Sequence, residues 1–462
     1  MLRTILALLF ILAAPAAQAC ECVSPVSPAK SYQQAKAVFT AHVAELKKND
    51  QGNVDRVTLK VDKTWKGSPG ESLVLKGPRS MCSYWNYKAD ESYLVYADAS
   101  WDKTRPDELE ISGCSRTKLL KDGQIETQYL DAVAAEKDTA AIDKSLPGLL
   151  VSAKDPLMRA EAADLLSRIM RDKASAAPPE TVPALMKATA DADKSVRIKA
   201  ARALANFDLA GKAEVKEALF VLLKEDDRDL RDAAAGGLMY VGKRDPAVFR
   251  ALVEALEKAR QAKDADARRR GATLANFARV LEEVAGTEAE KAETAELLGS
   301  MVDEVSDPYD KVGVIQNLGF MKGHARKAAP KLLAVLKEAE SYHLKQYTIR
   351  ALGDIGAVEA QAQIEPYLKD QDCYVAGSVL EAVYKMNPQG FPAFFREKGI
   401  PEVKSRFDKC AAEFVWSLQT VGKPAIEIEP FLAEKYASMD KSDWKRDTLK
   451  ALLDALRYKE KK

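Results

Sequence analysis

Two hydrophobic periods divide the chain. Up to about residue 115, apolar positions come in short β-type runs. Val57, Leu59 and Val61 alternate with polar residues, and Val38–Val43, Leu73–Leu75 and Tyr93–Tyr96 are rich in β-branched and aromatic side chains. Gly52, Gly67, Pro69-Gly70 and Gly77-Pro78 punctuate these runs. The pattern predicts five or six short strands in a small antiparallel barrel or sandwich. Leu119–Thr139 reads as a joining helix, ended by a break at Lys144–Gly148. Beyond residue 145 the spacing becomes helical. Asp193 is a good N-cap, and Val196, Ala200, Ala203 and Leu204 share one face of the helix after it.

That helix recurs. Asp155, Arg159, Ala162 and Leu165-Leu166 repeat its pattern, as do Asp227, Leu230-Arg231, Ala234 and Leu238, with looser copies around Asp307, Leu344 and Asp372. The anchors Leu166, Leu204, Leu238, Phe277, Leu318, Leu352, Val383, Leu418 and Leu452 follow one another at intervals of 31–41 residues. Second apolar segments lie between them, such as Val215–Leu223, Phe249–Leu256, Ala329–Leu336 and Ile428–Ala433. Two helices per unit at this period are the signature of a solenoid. The Asp, Val-Arg, Ala and Ala-Leu positions, with glycines trailing at Gly353 and Gly356, resemble the HEAT repeats of the PBS-lyase type over residues 145–462. The resemblance implies an all-α superhelical array of about nine helix pairs, each stacking on the next to cover its apolar face. It implies an inner face built from the second helices and suited to extended protein partners. The recurrent Asp193/Arg197 and Asp227/Arg231 are expected to bridge neighbouring repeats.

With Lys+Arg at 70 and Asp+Glu at 69, the net charge of +1 gives no support to nucleic-acid or anionic-membrane binding. The start of the chain changes the picture more. Met1-Leu-Arg3, the apolar stretch Ile5–Ala14 and Ala17-Gln18-Ala19 read as a secretory leader over residues 1–19. No later apolar run is long enough to span a bilayer. The mature chain is expected to begin at Cys20 as a periplasmic or secreted protein. Acylation of Cys20, giving a lipid anchor, is the competing reading, and plain cleavage is favoured.

Export permits disulfides. Cys20, Cys22, Cys82 and Cys114 lie in the β-rich part, and three pairings of them are possible. Cys373 and Cys410 fall near the starts of adjacent first helices, close enough to pair or to remain as two buried thiols. Cys20-Glu21-Cys22, Thr64-Trp65-Lys66-Gly67, Met81-Cys82, Tyr93–Ala97 and Cys114–Thr117 occur in an order that resembles the netrin-like domain of the tissue inhibitors of metalloproteinases. The resemblance implies an OB-like barrel over residues 20–118 and the pairs Cys20–Cys82 and Cys22–Cys114; the residues after it, 119–144, read as a helical linker. It also implies that the Cys20 amine and carbonyl could chelate a partner protease's zinc, with Glu21 in the pocket beyond and Ser80 and Met81 beside it. Glu21 departs from the small or apolar residue usual there, and an unpaired buried carboxylate is costly.

Tyr84, Trp85, Tyr87 and Trp101 lie in expected loops, where exposed aromatics would serve as binding anchors and inward-facing ones would pack the barrel rim. The three histidines, His42, His324 and His343, form no zinc-protease motif, and neither a phosphate-binding glycine loop nor a nucleophile elbow is present. The sequence thus points to a non-enzymatic, exported binding protein without intrinsic metal or cofactor. Its partner would be a protein, with an extracytoplasmic metalloprotease as the alternative. The expected binding residues of the first domain are Cys20, Glu21, Ser80, Met81, Tyr84 and Trp85.

Overall fold

A computed structural model describes residues 28–49, 54–76, 83–100, 108–173, 177–205, 213–261, 267–440, 443 and 445–457. The chain divides into two compact units, residues 1–208 and 209–462.

The first unit opens with α1 (Pro28–Gln34) and an antiparallel half-barrel. Its strands are β1 (Ala37–Lys48), β2 (Val54–Lys66), β3 (Ser72–Lys76), β4 (Ser92–Ala99), β5 (Leu109–Glu110) and β6 (Lys118–Leu119). Their order is β3-β2-β1-β4-β5, with β6 also on β4. Register shifts at four points along the β1–β2 ladder mark bulges, which bend and twist a sheet toward closure. One face gathers Phe39, Ala41, Val57, Leu59, Tyr93 and Val95. The other face of β1 and β4 is buried too, because Val38, Leu94 and Tyr96 meet Leu130 of α2 (Gln124–Ala134). Burial on both sides explains why Val38–Val43 reads as a nearly continuous apolar run. Trp65 Nε1 and Lys63 Nζ both donate to Asp131 on α2, at 2.6 and 2.5 Å, fixing the helix over the sheet. Gly67, at φ +75°, turns the chain where a Cβ would stand 2.5 Å from the Lys36 carbonyl oxygen.

Four more helices complete this unit: α3 (Ala140–Ser152), α4 (Pro156–Lys173), α5 (Thr181–Ala188) and α6 (Lys194–Leu204). The break expected at 144–148 does not occur, and α3 runs through Pro147. Leu146, Pro147 and Leu150 are buried, so packing holds the helix despite the hydrogen bond that proline forgoes. The joining helix is also shorter than expected, since Leu119 belongs to β6 and α2 begins at Gln124.

The second unit is helical among its described residues. It comprises α7 (Ala213–Leu223), α8 (Arg228–Val241), α9 (Pro246–Gln261), α10 (Ala267–Val284), α11 (Glu288–Glu304), α12 (Pro308–Phe320), α13 (Ala329–Glu338), α14 (Tyr342–Asp354), α15 (Gln361–Ile364), α16 (Cys373–Met386), α17 (Phe391–Phe394), α18 (Ile400–Val421), α19 (Glu429–Ser438) and α20 (Lys445–Arg457). From α4 onward the even-numbered helices are the first helices of the repeats. Each of the nine anchors from Leu166 to Leu452 sits on one of them and is buried. Within each unit successive first helices pack side by side: α4 on α6 in the first, and α8, α10, α12, α14, α16, α18 and α20 in turn in the second. A sequence period of about one repeat thus becomes a layer of neighbouring helices.

Candidate binding surfaces

Aspartates cap the first helices as the sequence leads one to expect. Asp193, Asp227, Asp307 and Asp372 each accept backbone N–H bonds from the turn they open. Arg197 and Arg231, expected with them to bridge neighbouring repeats, instead bond to their own entry loops, as Arg159 also does. Arg159 donates to the carbonyls of Ala153 and Lys154, Arg197 to those of Asp191 and Ala192, and Arg231 to those of Glu225 and Asp226. In all three repeats the guanidinium folds back on its own entry loop, because one helical turn carries it to the carbonyls left without donors there. Arg159 also forms an ion pair with Asp191, 32 residues on, bidentate at 2.8 and 2.9 Å.

A buried polar cluster ties the half-barrel to the first repeat. Glu126, at the start of α2, receives Arg116 at 2.5 and 2.6 Å, Lys118 at 2.7 Å and the Tyr96 hydroxyl at 2.7 Å. Burial alone would raise its pKa, but Lys118 and Arg116 outweigh that and hold it down to about 2. Glu161, on α4, accepts the backbone N–H groups of Ile125 and Glu126 at 2.8 and 2.9 Å. Here burial prevails over those two bonds and pushes the carboxyl up to about 7. Arg116, Lys118, Glu161 and Asp164 also line a cleft of about 400 Å³. Arg116 and Lys118 are engaged with Glu126, and Asp164 receives Arg168 at 2.9 Å, so these charges facing the cleft are already paired. The arrangement is that of a structural joint.

Of the residues expected to bind, Cys20, Glu21, Ser80 and Met81 lie outside the described residues, as do Cys22, Cys82 and Trp101. Tyr84 and Trp85 are half-buried against the sheet core, and Tyr87 is buried within it. Tyr84 meets Tyr87 and Tyr93 edge to face at 5.1 and 6.3 Å, and Trp85 Nε1 donates to the Val54 carbonyl at 2.8 Å. Burial, reinforced by Tyr93 and Asp122, pushes the Tyr84 hydroxyl up to about 12. These rings are packing residues first. Tyr84 and Trp85 nevertheless show an edge to an open cavity of about 390 Å³ between β3 and β5. Cys114 is disulfide-bonded to a cysteine outside the described residues. Cys373 and Cys410 are joined to each other, Cα to Cα 5.3 Å, linking the start of α16 to α18 at its kink.

The second unit carries a feature that periodicity did not reveal. Tyr309 on α12, His343 and Tyr342 on α14, Tyr374 on α16 and Trp416 on α18 form a row of rings across four successive first helices. Centroids are 6.2 Å apart for Tyr309–His343, 4.0 Å for His343–Tyr342, 6.3 Å for Tyr342–Tyr374 and 6.4 Å for Tyr374–Trp416. The last two pairs are close to parallel, at 29° and 28°. Tyr309, Tyr374 and Trp416 remain 54%, 37% and 41% exposed, whereas the anchor residues of the same helices are buried. Three of the rings follow an N-cap position at once: Asp307-Pro-Tyr309, Ser341-Tyr342 and Asp372-Cys-Tyr374. These three rings therefore lie in the first turn of their helices. The row lies on the first helices, not on the second helices from which the sequence reading built its binding face.

Residues 182–278 match the family model of HEAT repeats. No curated protein matches the chain. Among solved structures, an engineered protein is similar at 20% identity and a TM-score of 0.41, over 73% of this chain and 94% of that one. The complex of CpcE and CpcF of phycocyanin lyase from Nostoc sp. PCC7120 is similar at 21% identity and 0.34, over 52% and 94%. Importin beta is similar at 12% and 0.47, over 71% of this chain and 49% of its own length. The chain combines an N-terminal antiparallel half-barrel with a HEAT-like α-solenoid.

Proposed function

We propose that this protein is an exported, non-enzymatic scaffold that holds a protein partner on the first-helix layer of its solenoid. The observation that carries the reading is the row from Tyr309 to Trp416, in which Tyr309, Tyr374 and Trp416 are open to solvent on helices whose anchor residues Leu318, Val383 and Leu418 are buried. Exposed aromatic side chains aligned on a rigid support are the composition of interface anchors. A repeat array serves such a role because each helix pair fixes its neighbour, so spacing between anchors is set before the partner arrives. Export is supported by the leader-like start and by the described cysteines, Cys114, Cys373 and Cys410, all of which are in disulfides. The chelating role read for Cys20 falls on residues outside those described.

The test is native mass spectrometry of the full-length protein isolated gently from its own cells. The reading expects a stoichiometric heterocomplex with one protein, lost from the Tyr374→Ala/Trp416→Ala variant. Recovery of the chain alone, or equal recovery of the complex by the variant, overturns it.

A further inference from the structure

The chemistry of the ring row narrows what it can hold, on the premise that this row is the docking surface. Two carboxylates act on Tyr374. Glu413, one turn before Trp416 on the same helix, and Asp372, the cap of α16, both raise its hydroxyl pKa beyond what burial does. Asp372 acts in the same sense on Tyr342. Neither carboxylate has an ion-pair partner among the described residues. Of the cations nearby, Lys345 is paired with Asp370 at 3.1 Å, Arg406 with Glu402 at 3.3 Å, and Arg268 stands 3.8 Å from Asp307, while Lys409 donates to the Gln371 carbonyl at 3.2 Å. The row thus offers negative ring faces next to unpaired carboxylates, a combination that attracts Arg and Lys.

Spacing supplies the second constraint. Tyr342, Tyr374 and Trp416 repeat at 6.3 and 6.4 Å. An extended chain rises about 3.2–3.4 Å per residue and points alternate side chains to one side, so every second residue recurs at about 6.4–6.8 Å. A helix would bring residues back to one face every turn, about 5.4 Å. The row is matched to the extended form.

We propose that Tyr342, Tyr374 and Trp416, with Asp372 and Glu413, bind an extended segment of the partner protein that carries Arg or Lys at alternate positions. Each cationic side chain lies over one ring, and Asp372 and Glu413 set the preference for positive charge. Tyr309 and His343 prolong the track by one repeat.

The experiment titrates full-length protein with fluorescent peptides of equal length: one alternating Arg and Ser, one alternating Glu and Ser, and one rich in proline without charge. The Arg–Ser peptide is expected to bind, with an affinity that falls as salt is raised, and the other two to bind far more weakly. Tyr374→Ala/Trp416→Ala should weaken it roughly tenfold or more, the loss of two cation–π contacts. Tyr374→Phe should retain most of the affinity. Asp372→Asn with Glu413→Gln should weaken the Arg–Ser peptide while leaving the fold intact, since Asn caps a helix as well as Asp does. Equal binding of all three peptides, no binding of the Arg–Ser peptide, or unchanged binding by the ring variants would overturn the assignment. If the Arg–Ser peptide fails while the native complex still depends on Tyr374 and Trp416, only the charge assignment falls. If that dependence is also absent, the docking reading falls with it.

Discussion

Arg159 and Asp191 stand 32 residues apart and form a bidentate pair, Nε to Oδ2 at 2.8 Å and Nη2 to Oδ1 at 2.9 Å. The same guanidinium holds the Ala153 and Lys154 carbonyls, so one side chain closes its own entry loop and fastens the next repeat. Asp191 in turn accepts the Asp193 N–H at 2.8 Å. Arg159→Ala should therefore cost more than Asp191→Asn, about 2–4 against about 1–2 kcal/mol, because the asparagine variant keeps the loop contacts. Hydrogen exchange of α4 to α6 amides measures both. Equal losses would mean that the carbonyl contacts contribute nothing.

Glu126 is the most heavily engaged carboxylate of the joint. Glu126→Gln removes the charge that Arg116 and Lys118 face. Arg116 is buried and would lose the carboxylate that receives two of its N–H groups, which costs about 3–5 kcal/mol. Urea unfolding followed by signals from the first unit should show that loss. A double variant that also replaces Arg116 with Met should recover part of it.

Glu161 gives the joint a pH dependence of definite sign. Its folded pKa, up to about 7, lies above the ordinary value of 4.5. Between those values the unfolded chain binds fewer protons than the folded one, so this group's contribution is full below pH 4.5 and is lost as pH rises through 7. The first unit should be more stable at pH 6 than at pH 8, by about 1–2 kcal/mol. Glu161→Gln should flatten that difference in urea unfolding at the two pH values. A stability that rises over this interval in the wild type, and equally in the variant, would contradict the assignment.

The Cys373–Cys410 bridge spans 37 residues and joins two first helices. Closing a loop of that length stabilises by about 3–4 kcal/mol through restriction of the unfolded chain. Replacing both cysteines with Ala should lower the denaturation midpoint of the second unit and leave the first unchanged. No shift in the second unit would show that packing of α16 on α18 suffices alone.

What the sequence discloses follows from what each feature depends on. The anchors Leu166 to Leu452 were legible because a helix that buries one face must repeat its apolar positions, and all of them are buried. The capping aspartates were legible because the cap interaction is local, within three residues of backbone. Pro147 was misread for the opposite reason: its local preference yields to the burial of Leu146 and Leu150, which only the fold determines. Arg197 looked like a bridge because its loop carbonyls do not show in a residue pattern. The row from Tyr309 to Trp416 depends on four helices lying side by side. Three of its rings leave a trace as an aromatic just after a cap, but Trp416, within α18, leaves none.

Which layer of the solenoid meets another protein can be measured directly. A photo-crosslinking side chain placed at position 416, on α18, can be compared with one at 434, on the exposed side of α19. With the full-length protein in its own cells, the account predicts one discrete protein adduct from position 416 and none from 434. Adducts from 434 alone, or equally from both positions, would contradict it.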